Sequence, residues 1–180
     1  DFMVTGKNSQ GQESLFIVEL KQWSNIQFSD LSDHVRTYLG GGVRDTLHPS
    51  YQAWSYASHL NMYNEYIYEN KVQVQACAYL HNCMDNKIIN SSRYEEKLRE
   101  VPVFIKGQSS ELRTAISTVI KEGTGTALLE KIDQSRIRPS IQLAESVSKM
   151  LQGKTEFSRI NDFFRIEFKR EASLQQVNKS

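Results

Sequence analysis

A carboxylate and an ammonium group stand two residues apart at the end of an apolar stretch. The stretch runs from Ser14 to Lys21 and carries Leu, Phe, Ile and Val in succession, which favours a β-strand. Because side chains alternate across a strand, Glu19 and Lys21 share one face. A buried charge needs a partner, so this pair is a candidate functional site. The alternative is an edge strand whose Glu and Lys face water.

Asp1 adds a second carboxylate to this strand end. Residues 1–5 are rich in β-forming side chains and residues 6–11 have turn chemistry, so the first two strands are predicted to form a hairpin. Two acidic oxygens on adjacent strands can hold one hard cation such as Mg²⁺. With an ammonium group to orient an attacking hydroxide, Asp1, Glu19 and Lys21 have the chemistry for metal-assisted hydrolysis of a phosphodiester bond.

The order Asp1, then Glu19-x-Lys21, resembles the core motif of the PD-(D/E)XK nucleases. A second motif, Gln52-Ala-Trp-Ser-Tyr56, is similar to the Q-x-x-x-Y motif of the RecB-like branch of that superfamily. It falls on the predicted helix that follows the hairpin, where that branch places it. Gln52 and Tyr56 are four residues apart and share one helix face.

The resemblance implies a restriction-endonuclease-like fold and a set of roles. The order of predicted elements along the chain agrees with this, since it indicates an α/β fold with a mixed β-sheet flanked by helices and a helical C-terminal extension. The cofactor is Mg²⁺ or Mn²⁺, and its implied ligands are Asp1, Glu19 and the carbonyl of Leu20. Lys21 positions the attacking water. The residues implied to hold the substrate strand are Gln52, Tyr56 and His48.

Two of these roles have alternatives. Gln52 and Tyr56 either contact substrate or support Lys21, and they could also be ordinary polar residues of an amphipathic helix. His48 directly precedes Pro49, so it could serve only to begin the helix.

Further segments resemble a bacterial family of unknown function, in which a nuclease-like amino-terminal domain precedes a P-loop ATPase of helicase type. The segments are Glu19 to Trp23, His48 to Tyr56, Tyr79 to Asn82 and Arg138 to Ser140. This resemblance covers residues 1–153 and implies two partners: nucleic acid, with DNA favoured, and an attached ATPase domain. It also implies an acidic residue on a helix upstream of Asp1. Residues 154–180 are expected to be a polar tail, and the chain itself has no P-loop motif.

Composition narrows the function classes. The 180 residues are 39% hydrophobic and 24% charged with a formal net charge of +1, which indicates one folded domain without a globally basic coat. No apolar run approaches the roughly 18 residues of a membrane span. The two cysteines do not make a disulfide framework, which favours the cytoplasm. With His81, Cys77 and Cys83 supply only three zinc ligands, too few for a structural site.

The periodicity of the chain predicts the elements that must position these residues. Residues 25–33 are predicted to be a loop and residues 35–46 a second hairpin. One helix should run from Pro49 to about Glu69. Further strands are expected at 72–80 and 101–105, one or two helical turns at 94–99, and helices at 110–120, 128–132 and 139–151.

Two other functions remain open from the sequence. One is a catalytically inactive domain of the same fold that binds nucleic acid or regulates the attached ATPase, which the net charge of +1 favours. The other is a structural domain whose resemblance to nucleases is coincidental.

Overall fold

The structure is a computed structural model that describes residues 1–85, 87–124 and 126–138. Residues Asp1–Arg138 belong to one compact unit. The predicted domain boundary at residue 153, the predicted helix at 139–151 and the tail at 154–180 lie outside the described residues. The strands are β1 (Phe2–Lys7), β2 (Glu13–Lys21), β3 (Ile26–Phe28), β4 (His34–Leu39), β5 (Gly42–Leu47), β6 (Gln73–Leu80), β7 (Val103–Ile105) and β8 (Glu122–Gly123). The α-helices are α1 (Pro49–Tyr63), α2 (Glu65–Glu69), α3 (Glu95–Glu100), α4 (Ser109–Val119) and α5 (Ala127–Asp133), and a 3₁₀ turn covers Ser92–Tyr94.

A five-stranded mixed sheet, in the order β7-β6-β2-β1-β8, forms the centre of the unit. Strands β1 and β2 form the predicted antiparallel hairpin, and β2 then pairs in parallel with β6 through the crossover that contains α1. Strand β7 continues the parallel half, and β8 pairs antiparallel with β1. The predicted class, α/β with a mixed sheet flanked by helices, is confirmed.

The central strand β2 is buried on both faces, which explains its unbroken apolar run. Leu15 and Ile17 pack with Ala53 of α1 and Ile67 of α2. Phe16 and its neighbour Val18 pack instead with residues of α4. Since alternation continues to the strand end, Glu19 and Lys21 lie on the α1 side of the sheet.

A three-stranded antiparallel sheet, in the order β3-β4-β5, is inserted between β2 and α1. The hairpin of β4 and β5 is as predicted and turns at Gly40 and Gly41, whose φ angles of 56° and 86° suit glycine. The prediction of a loop over residues 25–33 is wrong in part, because Ile26–Phe28 pairs with β4. Strand β3 is only three residues long and directs one apolar side chain, Ile26, toward the core, so the sequence shows no alternation that would predict a strand.

The predicted helix from Pro49 to about Glu69 is interrupted at Asn64. Asn64 has extended backbone angles, and its side-chain oxygen accepts a hydrogen bond from Ile67 N, 3.0 Å away. Its amide donates to the carbonyl of Ile132 at 2.8 Å. Asn64 therefore ends α1 and caps α2, through a contact that is distant in sequence.

The later elements follow the predictions at 94–99, 101–105, 110–120 and 128–132, with shifts of a few residues at some ends. Strand β8 was not predicted, since it is only two residues long and depends on pairing with Gly6 and Lys7. Over the described residues, no helix combines the length and the apolar character needed to span a bilayer.

Candidate active site at the end of strand β2

Glu19 is a carboxylate buried at the end of the central strand. Its side chain is only 1% exposed, and its Oε1 atom forms an ion pair with the ammonium of Lys21. Its other oxygen, Oε2, is buried without a hydrogen-bond partner in the part of the chain that the structure describes. A buried polar atom left without a partner is uncommon in folded proteins, which marks this oxygen as a candidate ligand atom.

Lys21 is held between Glu19 and an aromatic ring. Its side chain is 16% exposed, so most of its length is shielded from water. Its Nζ atom lies over the ring of Trp23, 5.3 Å from the ring centroid. Trp23 was not predicted to be a site residue. Its position two residues after Lys21, in step with the alternation of β2, is a sequence signal for it.

Asp1 lies across from Glu19 at the edge of the hairpin. Phe2 pairs with Val18, so the antiparallel register brings the preceding Asp1 opposite Glu19. One oxygen of Asp1 accepts a hydrogen bond from the backbone N–H of Leu20, at 2.9 Å. The two carboxylates therefore lie at the same end of the hairpin, Asp1 directly before β1 and Glu19 near the end of β2.

These groups are of the kind that binds a hard divalent cation. Among the described residues, Oε2 of Glu19 has no hydrogen-bond partner, and Asp1 supplies a second carboxylate at the same end of the hairpin. The Leu20 N–H donates to Asp1, and the carbonyl of the same strand residue points the same way, so it also faces the Asp1 side. Mg²⁺ is commonly held by one or two carboxylates together with waters and substrate phosphate. The described residues contain no cluster of three or more His, Cys, Asp or Glu side chains that could hold a metal, so a cation here would rely on such non-protein ligands.

Gln52 and Tyr56 are joined to each other on α1. The Gln52 amide donates to the Tyr56 hydroxyl at 2.9 Å, as the four-residue spacing permits. Both side chains are half-buried, and Tyr56 packs against the core that contains Leu15 and Ile17. The pair therefore lies on the same side of the sheet as Glu19 and Lys21.

His48 is buried, and both of its ring nitrogens are engaged. Nε2 contacts the carbonyl of Ile89 at 2.9 Å, and Nδ1 accepts a hydrogen bond from Ser50 N at 3.2 Å, which caps α1. The ring stacks on Tyr94 at a centroid distance of 4.1 Å. Burial lowers the pKa of His48 to about 4, so the ring is neutral at pH 7. This geometry favours the helix-capping role of His48 over the contact with substrate that the resemblance implied.

The two cysteines are buried. Burial raises the pKa of the Cys77 thiol to about 12, and Cys83 Sγ donates to the carbonyl of Asp85 at 3.2 Å. Thiolates bind metals and thiols do not. These environments suit small hydrophobic residues.

Comparisons with models of protein families, with curated proteins and with solved structures found no match to this chain.

Proposed function

We propose that this chain contains a Mg²⁺-dependent nuclease domain that hydrolyses phosphodiester bonds of nucleic acid, with DNA as the favoured substrate. The observation that carries the proposal is the environment of Glu19. It is a buried carboxylate across a hairpin from Asp1; one oxygen is on Lys21, and the other has no partner among the residues that the structure describes. Burying a carboxylate oxygen without a hydrogen-bond partner costs free energy of folding, and a bound cation would supply the missing partner.

The topology supports the proposal. The hairpin that carries Asp1 and Glu19 is followed by the crossover helix α1 and then by the parallel strand β6. The resemblance to the PD-(D/E)XK nucleases implies a mixed sheet of this kind, with the Q-x-x-x-Y motif on the helix that follows the hairpin. Gln52 and Tyr56 lie on α1, on the side of the sheet that carries Glu19.

The two oxygens of Glu19 have different tasks in this proposal. Oε1 keeps the ammonium of Lys21 at the strand end, while Oε2 is left for the cation. The cation, when bound, acidifies a water molecule and offsets charge on the phosphate. Lys21 orients that water and stabilises the charge that develops during attack.

Gln52 and Tyr56 act as a hydrogen-bonded unit. Because the Gln52 amide donates to Tyr56, the carbonyl oxygen of Gln52 and the hydroxyl proton of Tyr56 are the groups left to bind other partners. A substrate strand or the Lys21 ammonium could use them.

A second candidate function is favoured by one observation. The described residues provide two carboxylates at this strand end and no cluster of three acidic or other metal-ligating side chains. A domain of this fold that binds nucleic acid or regulates an attached ATPase, without cutting, would have the same appearance. The P-loop ATPase partner and the cytoplasmic location belong to the proposal as implications of the resemblance and of the cysteine content.

The experiment is a cleavage assay with end-labelled duplex DNA, single-stranded DNA and RNA, on the protein with any residues that precede Asp1 included, because the resemblance implies an acidic residue there. Mg²⁺ or Mn²⁺ should support cleavage and a chelator should stop it. The variant Glu19→Gln should lose at least about a hundredfold in rate, which is typical for removal of a charge-stabilising group.

Glu13→Gln is the matched control. Glu13 is on the same strand and the same face but at the other end, where it pairs with Lys131. It should cut at the parental rate. Binding of nucleic acid without metal-dependent cleavage by the parent protein would favour the second candidate function.

A further inference from the structure

We infer that Trp23 is a positioning residue that holds the ammonium of Lys21 at the strand end. The inference rests on the proposed function for its consequence in catalysis, but its geometric part concerns Lys21 and Trp23 alone. The ring lies 5.3 Å from Lys21 Nζ, within the range of a cation–π interaction.

Trp23 is suited to this role because its ring is fixed. The side chain is 7% exposed and belongs to an apolar cluster with Val35 of the three-stranded sheet and Leu80 of the five-stranded sheet. It therefore joins the two sheets directly beyond the end of β2. A close-packed ring changes position less readily than a lysine side chain does, so it offers Lys21 a defined face.

A second group is needed to hold Lys21 because Glu19 is proposed to bind both the ammonium, through Oε1, and the cation, through Oε2. The ammonium of Lys21 is paired with Glu19 through Oε1. A cation on Oε2 would take part of the charge of Glu19 and repel the ammonium. Attraction to the face of Trp23 does not depend on Glu19, so it can keep the ammonium in place while the cation is bound.

The first test needs no activity. In metal-free full chain, the ring current of Trp23 should move the NMR signals of the Lys21 ε-methylene protons upfield of those of Lys71, an exposed lysine outside the site. Trp23→Leu should remove this shift, and Trp23→Phe should keep part of it. If the parent protein shows no upfield shift, the inference is overturned, whether or not the protein cuts nucleic acid.

The second test separates positioning from general packing. Trp23→Leu should lower kcat about tenfold, because loss of a shielded cation–π contact corresponds to a change of about tenfold in a rate or equilibrium constant. The Mn²⁺ dissociation constant, measured by calorimetry, should stay within about twofold of the parental value. Trp23→Phe should recover at least half of the lost factor.

Val103→Ala is the control, because Val103 belongs to the same apolar cluster as Trp23 and is buried, but is not one of the residues named above as holding the ring. It should weaken the fold but leave kcat near the parental value. An equal loss of kcat in Val103→Ala and Trp23→Leu would show that Trp23 acts through packing only, and would overturn the inference. A parent protein that shows the NMR shift but neither binds Mn²⁺ nor cuts refutes the proposed function and supports the contact itself.

Discussion

Replacing Lys21 with Met tests whether Glu19 is a buried anion that depends on its ionic partner. Removal of one partner from a buried ion pair typically costs about 3–5 kcal/mol, because the other charge is left without compensation. Glu19 is 1% exposed but Lys21 is 16% exposed, so some water reaches the pair. We therefore expect Lys21→Met to lower the free energy of unfolding by about 2–4 kcal/mol at pH 7 in the presence of a chelator. Urea denaturation followed by circular dichroism measures this directly.

The control for this experiment is Lys131→Met. Lys131 also pairs with a glutamate of β2, Glu13, at 3.1 Å, but its side chain is 49% exposed. Exposed ion pairs contribute little, so this variant should be far less destabilised than Lys21→Met. Equal effects of the two substitutions would refute the reasoning, because Glu19 would then behave as an ordinary surface carboxylate.

Divalent cations provide a second test of the same ion pair, because a bound cation should stabilise the Lys21→Met variant. A ligand that binds only the folded state at one hundred times its dissociation constant stabilises by about 2.7 kcal/mol. Mn²⁺ at such a concentration should restore much of the stability lost in Lys21→Met, since a cation on Oε2 compensates Glu19 in place of the ammonium. It should not restore a Glu19→Gln/Lys21→Met double variant, which keeps the shape of the site and lacks the charge.

Three further predictions concern activity, backbone packing and pH. Lys21→Ala should remove most cleavage while calorimetry shows Mn²⁺ binding that is unchanged or slightly tighter, and a parental cleavage rate would exclude Lys21 as a catalytic residue. Gly6→Ala should lower the free energy of unfolding in urea by about 1–3 kcal/mol, because the added Cβ would overlap the carbonyl oxygen of Glu122. Gly123→Ala should be nearly neutral, because its Cβ would meet no atom of the described residues within 4 Å. Equal effects of the two substitutions would contradict this. Because the pKa of His48 is lowered to about 4 in the folded chain from 6.5, the unfolded chain takes up the proton first as pH falls, and stability should drop by up to about 3 kcal/mol between pH 6.5 and pH 4. His48→Asn keeps a capping acceptor and should flatten this part of the pH profile; an unchanged profile would show that His48 is not responsible.

The sequence predicted the parts of the fold that depend on local pattern. The apolar run of β2 and the turn residues at 6–11 were enough to predict the first hairpin, because each strand and turn has its own signal. Alternation along β2 then placed Glu19 and Lys21 on one face, and the ion pair between them agrees with that.

The parts that the sequence did not predict depend on distant contacts. The break at Asn64 requires the carbonyl of Ile132, and β8 requires the edge beside Gly6. The burial of His48 depends on the Ile89 carbonyl and on the ring of Tyr94. None of these partners lies within the window in which periodicity can be measured, so no local pattern could have indicated them.

The candidate site also has features that the sequence predicted and features that only the structure shows. Its acidic and basic residues could be named from type and spacing. The unpartnered oxygen of Glu19 and the ring of Trp23 over Lys21 needed the packed structure, since both depend on what surrounds the strand end.

The most direct test of the central claim is the anomalous diffraction of a crystal of the full chain soaked in Mn²⁺. We predict one anomalous peak at the end of β2, within coordination distance of Glu19 Oε2 and facing Asp1. A crystal of Glu19→Gln soaked in the same way should lack it. A parent crystal with no peak at this strand end, or with Mn²⁺ bound only elsewhere, would contradict the proposed metal site.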